Sequence, residues 1–431
     1  MKWLRAALAL IVLSSVVGLA TWMWSRSAKQ RAVAPRIGEV SAEALRDPAL
    51  IARGAYLTTV GGCAGCHTVR GGASFAGGRP IPTPFGNVPT SNLTPDPETG
   101  LGRWSFTDFW HALHDGKGPG GKLLYPAFPY TSYTRVATGD ALAIFAYLRS
   151  LPAVRQAPQP ATLAFPYNLR WTLAAWRALY FRRGVFQPDP KQSAQWNRGA
   201  YLVQGLGHCN ECHARRNAWG ATSGGSVLAG GEIPRQDWYA PDLSTQENGG
   251  LRGWTGQDVV ALLKNGQAAR GATFGPMADV VEESTQHMTD ADLRAIATHL
   301  VALPPRPVRQ APRSAFNVRK IVAAGEQIYR KRCADCHGDD GKGVAGVYPP
   351  LDGNAAVTEP TGINAIRTVL LGGFPPVTAG NLRPYSMPAN AQQLNDSDVA
   401  LVVSYIRQAW TNQASVVRPE QVARYRHTPI D

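Results

Sequence analysis

The sequence predicts an all-α fold, in which three tandem helical domains follow an N-terminal transmembrane helix. Three observations carry that expectation. The motif Cys-x-x-Cys-His occurs as Cys63-Ala-Gly-Cys66-His67, Cys209-Asn-Glu-Cys212-His213 and Cys333-Ala-Asp-Cys336-His337, and these use all 6 cysteines of the 431-residue chain. The segments flanking the motifs repeat one another with helical spacing. Finally, the run from Ala6 to Trp24 contains no charged residue.

The motif dictates the chemistry. Two thiols three residues apart on a helical turn can each add to one vinyl group of the same porphyrin, and the adjacent histidine then reaches the iron from one face. A zinc site would need two cysteine pairs, or one pair with two later histidines. A thioredoxin-like pair needs no following histidine and sits in a βαβ context that is missing here. The expected cofactor is therefore haem c, three copies bound covalently through Cys63, Cys66, Cys209, Cys212, Cys333 and Cys336. His67, His213 and His337 are the expected iron ligands. Such a chain moves electrons one at a time.

Composition agrees. Gly 44 and Pro 33 imply abundant loops, as in small domains whose core is largely porphyrin. The formal net charge is +14, and six ionised propionates would bring it to roughly +8. Basic runs interleaved with aromatics are missing, which excludes nucleic acid as a partner and leaves an acidic membrane surface or an acidic redox partner.

As a helix, Ala6–Trp24 would span roughly 28 Å, about one hydrocarbon core. Lys2 and Arg5 precede it, and Trp22 and Trp24 close it as interfacial residues do. The rival reading is a signal peptide cleaved after Ala20. Arg26, Lys29, Arg31 and Arg36 outnumber the positive charges before the span. The positive-inside count therefore opposes an exported body, whereas c-type haem is attached outside the bacterial inner membrane. The expectation is a single span in that membrane (residues 1–36) with the body in the periplasm.

Next come the repeats. Arg53-Gly54-Ala55-Tyr56-Leu57 precedes the first motif and Arg198-Gly199-Ala200-Tyr201-Leu202 the second, while Ala324-Gly325-Glu326 opens a weaker third copy. Asn92–Gly116 aligns without gaps on Asp242–Gly266, and both contain a capping box, Ser105-x-x-Asp108 and Thr255-x-x-Asp258. Each unit closes on a helix that starts near Asp140, Asp292 or Asp398. In the first, Leu142, Phe145 and Leu148 form one apolar face. This closing helix should cross the opening one at Gly54, Gly199 or Gly325, where a glycine lets two backbones approach. The boundaries that follow are domain I at 40–152, domain II at 191–304 and domain III at 316–412. Between them lie a linker at 153–190 and another at 305–315, and a tail covers 413–431. The first linker contains Phe165–Phe186, which reads either as an amphipathic helix at a membrane surface or as a helix packed between domains.

Electron-transfer haems usually carry a second axial ligand, often methionine. Met288 precedes the helix cap Thr289 and reads as a packing residue. Met277, in Gly275-Pro276-Met277, and Met387, in Ser386-Met387-Pro388, sit on loops beside proline and are the expected sixth ligands of the second and third haems. In the first unit Phe128 stands at that position and offers no lone pair. His111 and His114 are candidate substitutes, although each reads first as a surface or core histidine. Otherwise the first site is open, and a haem enzyme or sensor becomes the alternative function.

With these residues placed, the chain resembles the three-haem cytochrome c subunits of bacterial membrane-bound dehydrogenases of the alcohol, aldehyde and gluconate type. The resemblance rests on Arg53-Gly-Ala-Tyr-Leu57, the Asn92–Trp104 loop, Leu124-Tyr-Pro-Ala127, Tyr348-Pro-Pro-Leu-Asp-Gly-Asn354 and Tyr405–Trp410. It implies three tandem cytochrome c domains and an electron-transfer subunit that is not itself the enzyme. It also implies a large dehydrogenase partner of molybdenum, quinoprotein or flavoprotein type, with ubiquinone or a terminal oxidase as acceptor. Members with Phe in place of the first-unit Met resemble those paired with molybdenum hydroxylases acting on aldehydes or N-heterocycles.

Overall fold

The computed structural model describes residues 38–222, 227–246, 249–304 and 318–428. Three helix pairs dominate it. The opening helix of the first unit runs Pro48–Val60, with Asp47 capping the Ala49 N–H and proline at the first turn. The second opening helix, Ala194–Tyr201, is capped by Ser193 and continues as a π-helical stretch, Leu202–Leu206. The third runs Val318–Arg332. Their closing partners are Thr138–Ser150, Asp290–Val301 and Asp396–Gln408.

Each pair crosses at the expected glycine. A Cβ on Gly54 would collide with the Ala143 carbonyl, one on Gly199 with the Ala295 carbonyl, and one on Gly325 with the Leu401 carbonyl. The backbones thus touch with no side chain between them. The helices Phe106–Asp115 and Gly256–Asn265 begin at the capping boxes read from the sequence and end on glycines at positive φ, Gly116 and Gly266.

The all-α expectation is overturned, because the fold is mixed. β1 (Pro80–Thr83) and β2 (Gly86–Pro89) form an antiparallel hairpin, and β3 (Thr162–Leu163) adds to β2 from the first linker. In the second unit β4 (Ala229–Ile233) pairs antiparallel with β5 (Trp238–Asp242). Two further two-residue pairs join Thr245–Gln246 to Gly249–Gly250 and Gln267–Ala268 to Gly271–Ala272. These strands are short, rich in proline and glycine, and lack two-residue alternation. They hold through ladder hydrogen bonds and neighbouring loops rather than through a pattern that a sequence displays.

The expected membrane span is also not supported. Among the described residues no helix is long and apolar enough to cross a membrane, and Ala6–Trp24 lies outside them. The expected single span in the bacterial inner membrane, leading to a body in the periplasm, is therefore not supported. The linker expected at 305–315 is likewise outside the described residues.

Among the described residues two apolar cores form. One holds side chains of both the first and second units, among them Leu57, Val60, Phe145, Leu202, Leu206 and Leu293. The other belongs mainly to the third unit and centres on Tyr329, Ile366, Val399 and Val403. Each such fully buried side chain contributes about 1.5–3 kcal/mol. The helix expected within Phe165–Phe186 runs Arg170–Tyr180 and lies against both of the first two units. Arg170 donates to the Leu123 carbonyl, and the Trp176 indole N–H donates to the Trp219 carbonyl.

Two histidines outside the motifs are structural. His299 is buried beside the Trp196 ring. The His114 ring stacks on Trp110 at 3.3 Å, and its Nε2 lies 2.6 Å from the Val136 carbonyl oxygen. Burial lowers both to about 4. The unfolded chain therefore takes up a proton at each, near an ordinary value of ~6.5, that the folded chain refuses. Stability should be full above about pH 6.5 and should decline as pH falls toward 4, by up to about 3 kcal/mol for His114. Denaturant titrations at a series of pH values would show this decline, and His114→Gln should reduce it to the share that His299 contributes.

Candidate functional site

The three motifs fold as short turns. Cys63–His67 is a helical turn entered from Gly62 at φ 58°. Cys209–Glu211 is a tighter turn entered from His208, itself left-handed at φ 38°. Ala334–His337 follows Cys333. Each motif histidine meets one backbone carbonyl. His67 Nδ1 lies 2.7 Å from the Ser91 oxygen, His213 Nδ1 lies 2.7 Å from the Pro241 oxygen and His337 Nδ1 lies 3.1 Å from the Pro349 oxygen. A carbonyl can only accept, so Nδ1 carries the proton and Nε2 keeps its lone pair for a metal. Burial lowers the pKa of all three rings and favours the neutral form that ligation requires.

These acceptor carbonyls are the part of the site that sequence reasoning missed. Ser91 lies just beyond β2, and Pro241 lies in β5, so the unexpected strands are what aim the first two histidines. Ser91 is 24 residues beyond His67, and Pro241 is 28 beyond His213. The spacings differ, and neither position shows a residue type that marks an acceptor.

The first and second motifs open into one continuous cavity of about 2640 Å³, lined by His67, His213, Phe128 and Met277 among others. An ordinary small-ligand pocket holds ~300–1,000 Å³, so this space suits large flat groups. Its polar wall also fits the acidic edge of a porphyrin. Arg216 donates to the side chain of Glu211 within the second motif at 2.8 Å, while its buried Nε has no hydrogen-bond partner among the described residues. Arg79 donates to the Gly65 carbonyl within the first motif. Burial pushes the Cys63 and Cys209 thiols up to about 12, so an unliganded thiol there keeps its proton at neutral pH. The donor set therefore fits covalent haem with histidine ligation: cysteines to tether it, an Nε2 to bind the iron, and an apolar wall to exclude water.

The second-ligand candidates fall in different settings. Met277 is in the first turn of Pro276–Glu283 and lines the cavity. Met387 exchanges two backbone hydrogen bonds with Gly373, at 2.9 and 3.1 Å, which fixes its loop beside the core of the third unit. Met288 is buried as a packing residue. Phe128 packs on Tyr133 with ring centres 5.4 Å apart, and the Tyr133 hydroxyl donates to the Gly61 carbonyl beside the first motif. Neither histidine substitute reaches the site. His111 is paired with Asp115 at 2.7 Å, His114 is held as described above, and neither lines the cavity.

Crossed helices closing on Cys-x-x-Cys-His turns with preset histidine tautomers define a c-type cytochrome, an electron-transfer protein that binds haem c covalently. The cytochrome c family profile matches residues 322–410. The chain is 37% identical to the cytochrome c subunit of the quinone-type alcohol dehydrogenase of Gluconacetobacter polyoxogenes, over 89% of this chain and 85% of that protein. It is 36% identical to the gluconate 2-dehydrogenase cytochrome c subunit of Pantoea cypripedii, over 90% and 93%. It is also 39% identical to one of the subunits of nicotinate dehydrogenase from Pseudomonas putida over 96% of this chain, although the chain spans only 35% of that protein's length. The chain belongs to the family of dehydrogenase cytochrome c subunits. It is an electron-transfer subunit and not a catalytic one.

Proposed function

We propose that this chain carries three haems c and relays electrons from a large dehydrogenase subunit to ubiquinone or a terminal oxidase. The haems are tethered at Cys63/Cys66, Cys209/Cys212 and Cys333/Cys336, with His67, His213 and His337 as first axial ligands and Met277 and Met387 as second ligands in the second and third units. Domains I, II and III then cover 40–152, 191–304 and 316–412. The observation that carries this reading is the repeated Nδ1-to-carbonyl contact at all three motif histidines. It supports the same ligand role in each.

Haem would supply a one-electron iron couple. The chain's own part is to tether it, hold a neutral imidazole in one orientation, and keep water from the apolar cavity. Relatives named as subunits of nicotinate, alcohol and gluconate dehydrogenases support a dehydrogenase partner. Co-purification from the native host should recover that large subunit. A second reading, in which an open first site binds a small ligand, is favoured by Phe128 and by the engagement of His111 and His114 elsewhere.

Haem count is the direct test. Mass spectrometry of the chain matured with a complete haem-attachment system should show three haem additions, and Cys333→Ala/Cys336→Ala should show two. Two or fewer additions on the unaltered chain would refute the proposed count.

A further inference from the structure

The two Arg-Gly-Ala-Tyr segments make a second set of contacts that joins the first two units. Within the first unit Arg53 Nε donates to Asp140 Oδ1 at 3.0 Å. Within the second, Arg198 donates to both Asp292 oxygens, at 2.8 and 2.7 Å. The tyrosines cross between units. The Tyr56 hydroxyl donates to Asp292 Oδ2 at 2.6 Å, and the Tyr201 hydroxyl donates to Asp140 Oδ2, also at 2.6 Å. Each hydroxyl in turn accepts a backbone N–H at the start of the other unit's closing helix, from Thr289 to Tyr56 and from Ala137 to Tyr201, both at 3.2 Å. Each of these contacts has a counterpart with the units exchanged, which is the signature of a self-complementary, twofold-like interface.

The pairing is buried and reaches the motifs. The Asp140 and Asp292 side chains are 5% and 10% exposed. Burial pushes the Asp292 carboxyl up, but the hydrogen bonds from Arg198 and Tyr56 outweigh it and leave the group below its ordinary value. Leu57, Val60, Leu202 and Leu206 of the two opening segments share one core. At the end of those segments His208, the residue before Cys209, places Nε2 3.2 Å from the Gly61 carbonyl, and Ser284 of the second unit donates to the Val60 carbonyl at 3.1 Å. The first two motifs are thus held against each other.

The third unit supplies the contrast. Aligned on Gly325, its counterparts of the arginine and tyrosine are Ala324 and Gln327. Its aspartate, Asp398, serves the cap of its own helix by accepting the Asn395 N–H. Its core is separate from that of the other two. The residues that build the crossed pair are present where two units pair and missing where one does not.

We infer that Tyr56 and Tyr201 are positioning residues. Their crossed hydrogen bonds to Asp292 and Asp140 lock the first two units into one body and set the register between the first two haem sites, whereas the third site lies outside this lock. The lock stands on the contacts alone, and its redox consequence rests on the haem assignment proposed above.

The test uses the full, haem-loaded chain with Tyr56→Phe, Tyr201→Phe and the double substitution, each of which keeps the ring and its packing. Hydrogen exchange should be about tenfold faster at the starts of both the Thr138 and Asp290 helices in the double variant, the effect of losing a hydrogen bond to a charged group, and unchanged at the start of the Asp396 helix. In a spectroelectrochemical titration two of the three midpoint potentials should shift and the third should stay fixed. Unchanged exchange at the first two helices would overturn the lock. Faster exchange with all three potentials unmoved, or with all three shifted alike, would overturn the positioning role. If mass spectrometry finds fewer than three haems, the haem count fails while the exchange data still decide the lock, and the single variants read the same contacts should the double variant fold poorly.

Discussion

Replacing Phe128 by methionine is expected to convert the first haem site from an open one to a histidine/methionine one. In the native chain Phe128 has no lone pair, His111 is paired with Asp115, and the His114 ring nitrogens face the Trp110 and Val136 carbonyls. The first site should therefore be partly high-spin and should bind carbon monoxide or cyanide, at about one equivalent per three haems. The Phe128 loop is stiffened by Pro126 and Pro129 and by the Phe128 N–H donating to the Tyr125 carbonyl at 3.1 Å. A methionine there meets a backbone already held in place, so the substitution should strain little. The expected result is loss of carbon monoxide binding and a rise in one midpoint potential on the order of 0.1–0.2 V, within the ~0.8 V that axial ligands span. A native chain that is entirely low-spin and binds neither ligand would mean that another side chain already holds the iron.

Replacing Met387 by histidine should have the opposite sign. A thioether raises the potential of a haem relative to a second imidazole. One midpoint should fall by roughly 0.2 V and the other two should barely move, because Met387 packs against the separate core of the third unit. Met277→His should lower a different single midpoint. The two variants together assign potentials to sites. A visible spectrum unchanged in both would remove these methionines from the ligand set.

Much of this arrangement is legible in the residues, for identifiable reasons. The crossing glycines can be found because a backbone contact tolerates no Cβ, so Gly54, Gly199 and Gly325 recur at one place in each unit. The capped helices at Ser105 and Thr255 can be found because a capping box is a local pattern spanning four residues. Met288 separates from Met277 because the alignment of closing helices puts it at a core position, where it is buried.

What escapes a reading of the residues is which groups pair. The strands β1, β2, β4 and β5 include Pro-Ile-Pro-Thr and Ala-Gly-Gly-Glu-Ile segments without alternation, and pairing partners decide them. The buried Arg407 illustrates the same point. It lies inside the Tyr405–Trp410 segment, yet it donates to the carbonyls of Val357 and Ser415, which that segment does not predict. Arginine and tyrosine of the Arg-Gly-Ala-Tyr repeats are visible as a repeat, but nothing local says that each tyrosine serves the other unit's aspartate.

The class of cofactor, the repeated helical unit and the electron-transfer role are written in consecutive residues, because thiol spacing, an adjacent histidine and a crossing glycine are short-range requirements. Folding in three dimensions adds the strands that accompany the helices and the carbonyl that orients each histidine. It also engages His111 and His114 away from the first site and gives the first two units a shared core. The carbonyls that orient His67 and His213 lie 24 and 28 residues away and the Val136 carbonyl that engages His114 lies 22 away, and a hydrogen bond or packed surface leaves no mark in the residues beside either of its ends.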